Sequence, residues 1–247
     1  MQMIDRAHLA KLMKIEEKRY LARTKKSAAL FKQAKKSMPG GVPMSWMTKW
    51  PGAYPLFVKS AKGAHFKDVD GNTYIDFCLG DTGSMTGHSP AATVAAIKKQ
   101  LSSGLTAMLP TEDALAVGQD LTKRFGLPMW QFTVSATDAN RHSIRYCRLV
   151  TGKQKIIVID KCYHGSVDET FATLDSRGKT VKREGNIGAP VDLSETTRVV
   201  EFNNLAAMEA ALKKGDVAAI LMEPAMTNIG IVLPEPGYLE AVGKLAK

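Results

Sequence analysis

Trp130-Gln131-Phe132-Thr133-Val134-Ser135-Ala136-Thr137-Asp138-Ala139-Asn140 is the stretch on which the fold turns. Its first half is a short apolar run that predicts a buried strand. Its second half opens a segment up to Val150 in which Ile144, Cys147 and Val150 recur at helical spacing. A strand that ends in small residues at a helix start presents free backbone N–H groups and a positive dipole end, which suits a phosphate or another anion. The same Ser, Ala and Thr also serve as a plain helix cap. Two further strand ends decide between these readings.

From about residue 90 the chain alternates between helical and apolar-strand patterns. Helices are predicted over 91–101, 112–125, 137–150 and 204–214 and from near Pro236, and strands over 130–134, 155–159, 198–201 and 217–222. Such alternation implies an α/β fold, a mostly parallel sheet with helices on its faces and ligands beyond the carboxyl ends of the strands. Ile156-Ile157-Val158-Ile159 and Val217-Ala218-Ala219-Ile220-Leu221-Met222 read as strands buried on both faces. Residues 166–195 form a long polar connection with little periodicity, expected to cover a site.

The region before residue 86 is organised differently. A basic helix ends before Met38-Pro39-Gly40-Gly41, an aromatic-rich loop follows over 42–55, and a β meander is predicted at 56–59, 64–67 and 73–77. Asp68-Val69-Asp70-Gly71-Asn72 superficially resembles a calcium loop, but the glycine comes too early and the flanks alternate as strands do, so it reads as a hairpin turn. No metal centre is expected. The domain division drawn from these patterns is 1–85 and 86–247.

Charge follows the same division. The net charge of +10 is almost wholly N-terminal, because residues 1–37 hold 11 Lys and Arg against 3 Asp and Glu. A helix of this kind, with Leu9, Leu12, Met13, Leu21, Leu30 and Phe31 as apolar positions, docks its apolar side and solvates its charges. Without interleaved aromatics it makes a poor nucleic-acid arm. No stretch approaches a membrane span, and the N-terminus lacks the features of a secretory signal. Cys78, Cys147 and Cys162 lie in or beside apolar runs, so reduced, buried thiols and a cytoplasmic protein are expected.

Two strand ends bear on the anion site. Asp160-Lys161-Cys162-Tyr163-His164-Gly165 follows strand 155–159, and Glu223-Pro224-Ala225-Met226-Thr227-Asn228-Ile229-Gly230 follows strand 217–222. An aromatic beside glycine can lie over a flat ring, and Glu or Asn can bond polar ring substituents. Taken singly, Tyr163 also reads as a core aromatic, His164 as a structural hydrogen-bonder and Glu223 as a solvated strand end. A Cys162–His164 nucleophile pair is disfavoured, because no third member is evident.

These pieces, in this order, resemble the class III, fold-type I pyridoxal-phosphate (PLP) aminotransferases, and within them the glutamate-1-semialdehyde aminomutase group. The resemblance runs from Pro39-Gly40-Gly41-Val42 through Asp68 to Asp76, Gly87-His88-Ser89-Pro90, Ser135 to Asn140 and Tyr163-His164-Gly165, to Glu223-Pro224…Asn228…Gly230…Pro234…Pro236-Gly237-Tyr238-Leu239. It implies that Ser135, Ala136 and Thr137 hold the cofactor phosphate and that Tyr163 stacks on the pyridine ring. His164 and Gly165 would shape that turn, and Glu223 and Asn228 would sit near the phenolic oxygen edge. Trp46, with Asp81, Thr82 and Ser84, would line the substrate side. The implied activity moves an amino group between an amine or amino acid and a keto acid; a 2,1-aminomutase is the alternative. A homodimer or higher homo-oligomer is implied as well.

The chain departs from the family in three places. Ala136-Thr137-Asp138 stands where relatives have Gly-Thr-Glu or Gly-Ser-Glu, adding a methyl group and shortening a carboxylate near the phosphate. Met44, Ser45, Trp46 and Met47 occupy a loop in which relatives acting on distal carboxylates often carry arginine, favouring a more apolar substrate. The family's Schiff-base lysine and its pyridine-binding aspartate come later than Lys247, so no catalytic lysine is nominated. On that expectation the chain is an incomplete aminotransferase, or a non-catalytic binding module.

Overall fold

The computed structural model describes residues 4–247, in two compact units, Met1–Pro110 and Thr111–Lys247. The first begins with α1 (Arg6–Arg23), capped by the Asp5 carboxylate, which accepts from the Ala7 and His8 N–H groups at 3.0 Å. The sequence predicts one helix over 1–37, of which residues 1–3 lie outside the described range. The structure breaks it at Thr24 and starts again as α2 (Lys25–Ala34). The cause is tertiary. Thr24 is buried, its hydroxyl donating to the Tyr20 carbonyl at 2.6 Å, while the Asp70 carboxylate accepts from the Lys26 and Ser27 N–H groups and caps α2 from outside the helix. The expected docking of α1 is also corrected. Leu9, Leu12, Met13 and Leu21 remain exposed and α1 has no buried residue, whereas Phe31 of α2 is partly buried against the Gly40-Gly41 turn.

The meander follows as β1 (Val58–Lys62), β2 (His65–Asp68) and β3 (Thr73–Ile75), antiparallel in that order. Its interior is polar. Asp68 is fully buried and accepts from the Asn72 N–H, the Asn72 side-chain amide and the Tyr74 hydroxyl at 2.8–3.0 Å. The would-be calcium loop is therefore a turn whose carboxylates already serve the protein. The unit closes with α3 (Ala91–Leu101).

The second unit opens with α4 (Glu112–Phe125) and α5 (Ala136–Thr151), each ended by a glycine in the left-handed region, Gly126 at φ 71° and Gly152 at φ 68°. Then come β4 (Lys155–Ile159), a hairpin of β5 (Ala172–Leu174) and β6 (Thr180–Lys182), α6 (Leu193–Thr196), β7 (Thr197–Val200), α7 (Leu205–Leu212), β8 (Val217–Leu221) and α8 (Tyr238–Leu245). The sheet order is β7-β4-β8, all parallel, with Ile159 opposite Val200 and Val158 opposite Leu221. Ile156 to Ile159 are wholly buried and centre a core that takes in Ile144, Met208, Tyr238 and Val242.

Two expectations are corrected here. Residues 130–134 form no strand: Phe132 and Val134 are 51% and 99% exposed, and among the described residues nothing pairs with them. An apolar run becomes a strand only when a neighbour takes its backbone groups. The connection over 166–195 is not featureless. Val167, Thr170, Ala172 and Leu193 are buried, and the Thr180 hydroxyl accepts from the Val199 N–H, covering the outer edge of β7.

Candidate functional site

The chain leaves β4 for β7 on one side and returns to β8 on the other. Such a reversal opens a crevice beyond the carboxyl ends of β4 and β8. Three turns of the second unit meet there. The first is the start of α5. Ser135 caps it, accepting from the Asp138 N–H at 3.2 Å and donating its own proton to the Asp138 carboxylate at 3.0 Å. The Ala136 and Thr137 N–H groups lie too early for any intrahelical acceptor and have no other among the described residues. The helix thus forms its anion-attracting end without the predicted strand.

The second turn follows β4. Lys161 sits at φ 62° and Gly165 at φ 80°. The Gly165 backbone approaches so closely that a Cβ there would fall 2.1 Å from the Thr137 hydroxyl. Only glycine allows this contact, and the neighbouring Ser166 N–H donates to Thr137 Oγ1 at 3.2 Å. Between them Tyr163 turns outward, 56% exposed, and His164 turns inward, 8% exposed. Burial pushes His164 below the usual histidine range against the attraction of Glu223. Its Nε2 is buried and has no partner among the described residues. The Cys162 thiol is driven by burial up to about 12, which keeps it protonated and removes it as a nucleophile. The expectation of three buried thiols holds for Cys162 alone: Cys78 is exposed and Cys147 is half-buried.

The third turn follows β8, and Glu223 ties it to the second. One carboxylate oxygen accepts from the Tyr163 N–H at 3.1 Å; the other accepts from the Thr227 N–H and hydroxyl at 3.0 and 2.9 Å. Asn228 reaches the Lys161 carbonyl at 3.5 Å. The structure therefore brings Ser135, Ala136, Thr137, Tyr163, His164, Gly165, Glu223 and Asn228 to one set of neighbouring turns. Sequence reasoning missed Asn140, whose side-chain amide donates to the His164 carbonyl at 3.0 Å. It lies one helical turn beyond Thr137, so the i, i+3 spacing was the available signal.

The remaining nominated residues lie in the first unit. Trp46 sits on a 3-10 turn, Ser45–Lys49, and is 53% exposed. Asp81 and Thr82 belong to a left-handed turn, Leu79 to Thr82, with φ between 56° and 65°. That conformation costs a non-glycine residue about 1–2 kcal/mol, and here it is held by a clamp. Asp76 accepts from the Cys78, Leu79 and Gly80 N–H groups and pairs with His88 Nε2 at 2.7 Å. Ser84 closes the turn, its N–H donating to the Leu79 carbonyl at 2.8 Å.

A parallel α/β sheet with an unsatisfied helix start, a glycine-tight turn and an outward tyrosine at its strand ends is the framework of enzymes that hold a flat, phosphorylated cofactor beyond the sheet. Comparison with known proteins narrows that class. Residues 46–247 match the class-III aminotransferases, and the chain belongs to that family. It is 35% identical over 222 residues to a glutamate-1-semialdehyde 2,1-aminomutase of Methanothrix thermoacetophila, covering 90% of this chain and 51% of that one. A glutamate-1-semialdehyde aminomutase of Pseudomonas aeruginosa PAO1 superposes with TM-score 0.94 at 47% identity, covering 98% of this chain and 53% of the other. A variant of the same Pseudomonas protein is solved in complex with PMP. An omega-transaminase of Sphaerobacter thermophilus superposes at 0.81 with 28% identity, covering 89% and 52%. The fold is thus fold type I of the PLP enzymes, as expected, and PLP is the cofactor of the family. The chain spans about half the length of the curated relatives it matches. Among the described residues no helix is long and apolar enough to cross a membrane.

Proposed function

We propose that this chain supplies the phosphate- and ring-holding part of a PLP-dependent aminomutase of the glutamate-1-semialdehyde kind, which exchanges an amino group and a carbonyl between neighbouring carbons of one small substrate. The observation that carries the reading is the joint one: the free Ala136 and Thr137 amides face a turn that only Gly165 can bring so near. They do so in a chain that superposes at 0.94 on a protein named for that reaction.

When bound, the cofactor carries the amino group and its ring spreads the charge left on the substrate carbon. The chain's own residues do the rest. Ala136 and Thr137 donate their N–H groups to the phosphate at the positive end of α5. Tyr163 covers one ring face and excludes water from it. Asn140 fixes the His164 backbone, and Glu223 locks the Tyr163 and Thr227 turns together, with Asn228 beside the ring edge. Ser135 steadies Asp138 through its hydroxyl and so serves the helix end more than the anion. Trp46, Asp81, Thr82 and Ser84 line the substrate side in this reading. None of the chain's lysines is assigned to the cofactor aldehyde. Assembly into a homo-oligomer is part of the proposal, supported by the exposed leucines of α1.

Amino transfer between two molecules is the second reading, favoured by the apolar Met44-Ser45-Trp46-Met47 loop. Protein loaded with PMP is given glutamate-1-semialdehyde alone, then a panel of amines with pyruvate. Isomerisation of the semialdehyde without any keto acid supports the aminomutase. Turnover only when a keto acceptor is added overturns it in favour of a transaminase.

A further inference from the structure

Leu79, Gly80, Asp81 and Thr82 follow one another at φ 56°, 59°, 58° and 65°, which makes a turn of left-handed helix. L-residues visit that region singly and not in runs, because Cβ crowds the following carbonyl oxygen. Leu79 is bulky and Thr82 is β-branched, so neither suits it. The bond from the Thr82 N–H to the Cys78 carbonyl, at 3.1 Å, has the i→i−4 pattern that a right-handed turn forms equally well. The choice of hand therefore comes from outside the turn.

Asp76 and His88 supply it. Asp76 Oδ1 accepts from the Cys78 and Leu79 N–H groups at 3.0 and 2.9 Å, while Oδ2 accepts from the Gly80 N–H at 3.1 Å and pairs with His88 Nε2 at 2.7 Å. These donors saturate the carboxylate, and with the Asp76 and His88 side chains only 10% and 19% exposed, water competes little. Both residues are themselves fixed to the turn between β1 and β2. The Asp76 N–H donates to the Ala64 carbonyl at 2.8 Å, and His88 and Gly63 exchange both backbone bonds at 2.9 Å. A Cβ on Gly87 would fall 3.3 Å from Gly63 Cα, so the segment leading to His88 is pressed close as well. A strained turn thus spans two anchored residues, and charge-assisted bonds to one carboxylate offset its strain.

We propose that Asp76 and His88 are positioning residues: Asp76, oriented by His88, keeps Leu79–Thr82 left-handed, and without either of them the turn relaxes and carries Asp81 and Thr82 away. Both act through the backbone of the turn. That Asp81 and Thr82 stand on the substrate side rests on the function proposed above, whereas the clamp itself does not. His88 acts only through the carboxylate, so another side chain that donates to Oδ2 from the same place can replace it. A change that removes the left-handed penalty lessens the need for it.

Amide hydrogen exchange of the full chain tests it, read by mass spectrometry over residues 77–84 with residues 65–75 of the meander as internal reference. Asp76→Ala and His88→Ala should each speed exchange over 77–84 about tenfold and leave the reference within about twofold. His88→Gln, which keeps a donor, should retain most of the protection. Thr82→Gly added to His88→Ala should restore it, because Thr82 is exposed and glycine adopts φ 65° without penalty. A residue needed only for folding would not be rescued by a glycine six positions away. If an alanine variant does not fold, Thr82→Gly alone keeps the test: it should slow exchange over 77–84, and faster exchange there overturns the proposal. In whichever amino-transfer assay the unmodified protein turns over, His88→Ala should raise KM about tenfold with kcat within about threefold, and His88→Gln should restore KM. Absence of turnover in the unmodified protein overturns the proposed function, and exchange alone then decides the clamp. Unchanged exchange in both alanine variants, a loss that neither His88→Gln nor Thr82→Gly reverses, or a fall in kcat at constant KM overturns the proposal.

Discussion

The two units are held together by opposite means. In the second, a core of sixteen buried apolar residues among those described is centred on β4, and the polar groups sit at the strand ends, where they form the candidate cofactor site. In the first, the fully buried side chains include a carboxylate and two hydroxyls: Asp68, Thr24 and Ser27. Asp68, Asp70 and Asp76 there gather backbone amides, Asn72, Tyr74 and His88 into networks that tie helix, hairpin and left-handed turn together. An apolar core tolerates lost partners poorly because cavities form, whereas a polar network tolerates them poorly because unpaired groups remain buried. Each unit should therefore fail by its own mechanism.

The largest effect is expected from Ile157→Ala. This residue is wholly buried at the centre of the sheet, and its truncation should cost the second unit about 4 kcal/mol, read as a lower denaturant midpoint. Gly165→Ala comes next. The new methyl group would overlap the Thr137 hydroxyl on a backbone already at φ 80°, costing about 3 kcal/mol and driving the turn off α5. PLP binding, followed by equilibrium dialysis, should fall with it. A Gly165→Ala protein that binds PLP normally would separate this turn from the cofactor. In the first unit, Asp68→Ala leaves the Asn72 N–H and the Tyr74 hydroxyl unpaired and should cost about 2 kcal/mol, while Asp68→Asn should recover part of that. If Asp68→Ala were neutral, the polar account of that unit would fail.

The same contrast explains what the sequence disclosed. The helix over 112–125 was legible from end to end, because Glu112 and Asp113 open it and Gly126 closes it, all local signals. Strand 155–159 was legible because four consecutive aliphatics need burial on both faces. The strand-end motifs gave the candidate site because sheet topology fixes where such turns meet. What was missed depends on partners far along the chain. The break at Thr24 is made by Tyr54 and Asp70. The 172–174 and 180–182 hairpin is fixed partly by Thr180 bonding Val199. The Asp76–His88 clamp joins residues twelve apart that carry no periodicity. The run over 130–134 has the composition of a strand but no pairing neighbour among the described residues, and no local pattern reveals that.

The smallest effect concerns acid. In the first unit, the burial of Asp68 pushes its carboxyl up, but hydrogen bonds from Asn72 and Tyr74 outweigh that, and for Asp76 the His88 hydrogen bond leads the downward shift. Asp216 in the second unit is also lowered, chiefly by Arg198. A carboxyl lowered below 3.8 stabilises the fold above that value and loses the contribution as pH falls beneath it, so both units weaken there. His164 adds a limb that belongs to the second unit alone. Its value is lowered by burial from 6.5, so the unfolded chain binds a proton that the folded one refuses. Stability is then complete above pH 6.5 and declines as pH drops from there toward the folded value. Glu223 opposes the shift, which limits the size of the decline. His164→Gln should flatten the midpoint against pH in that window and leave the steeper loss below pH 4 intact. Retention of the upper limb in His164→Gln would place the responsible proton elsewhere and remove His164 from the account of how the turn beside Tyr163 is held.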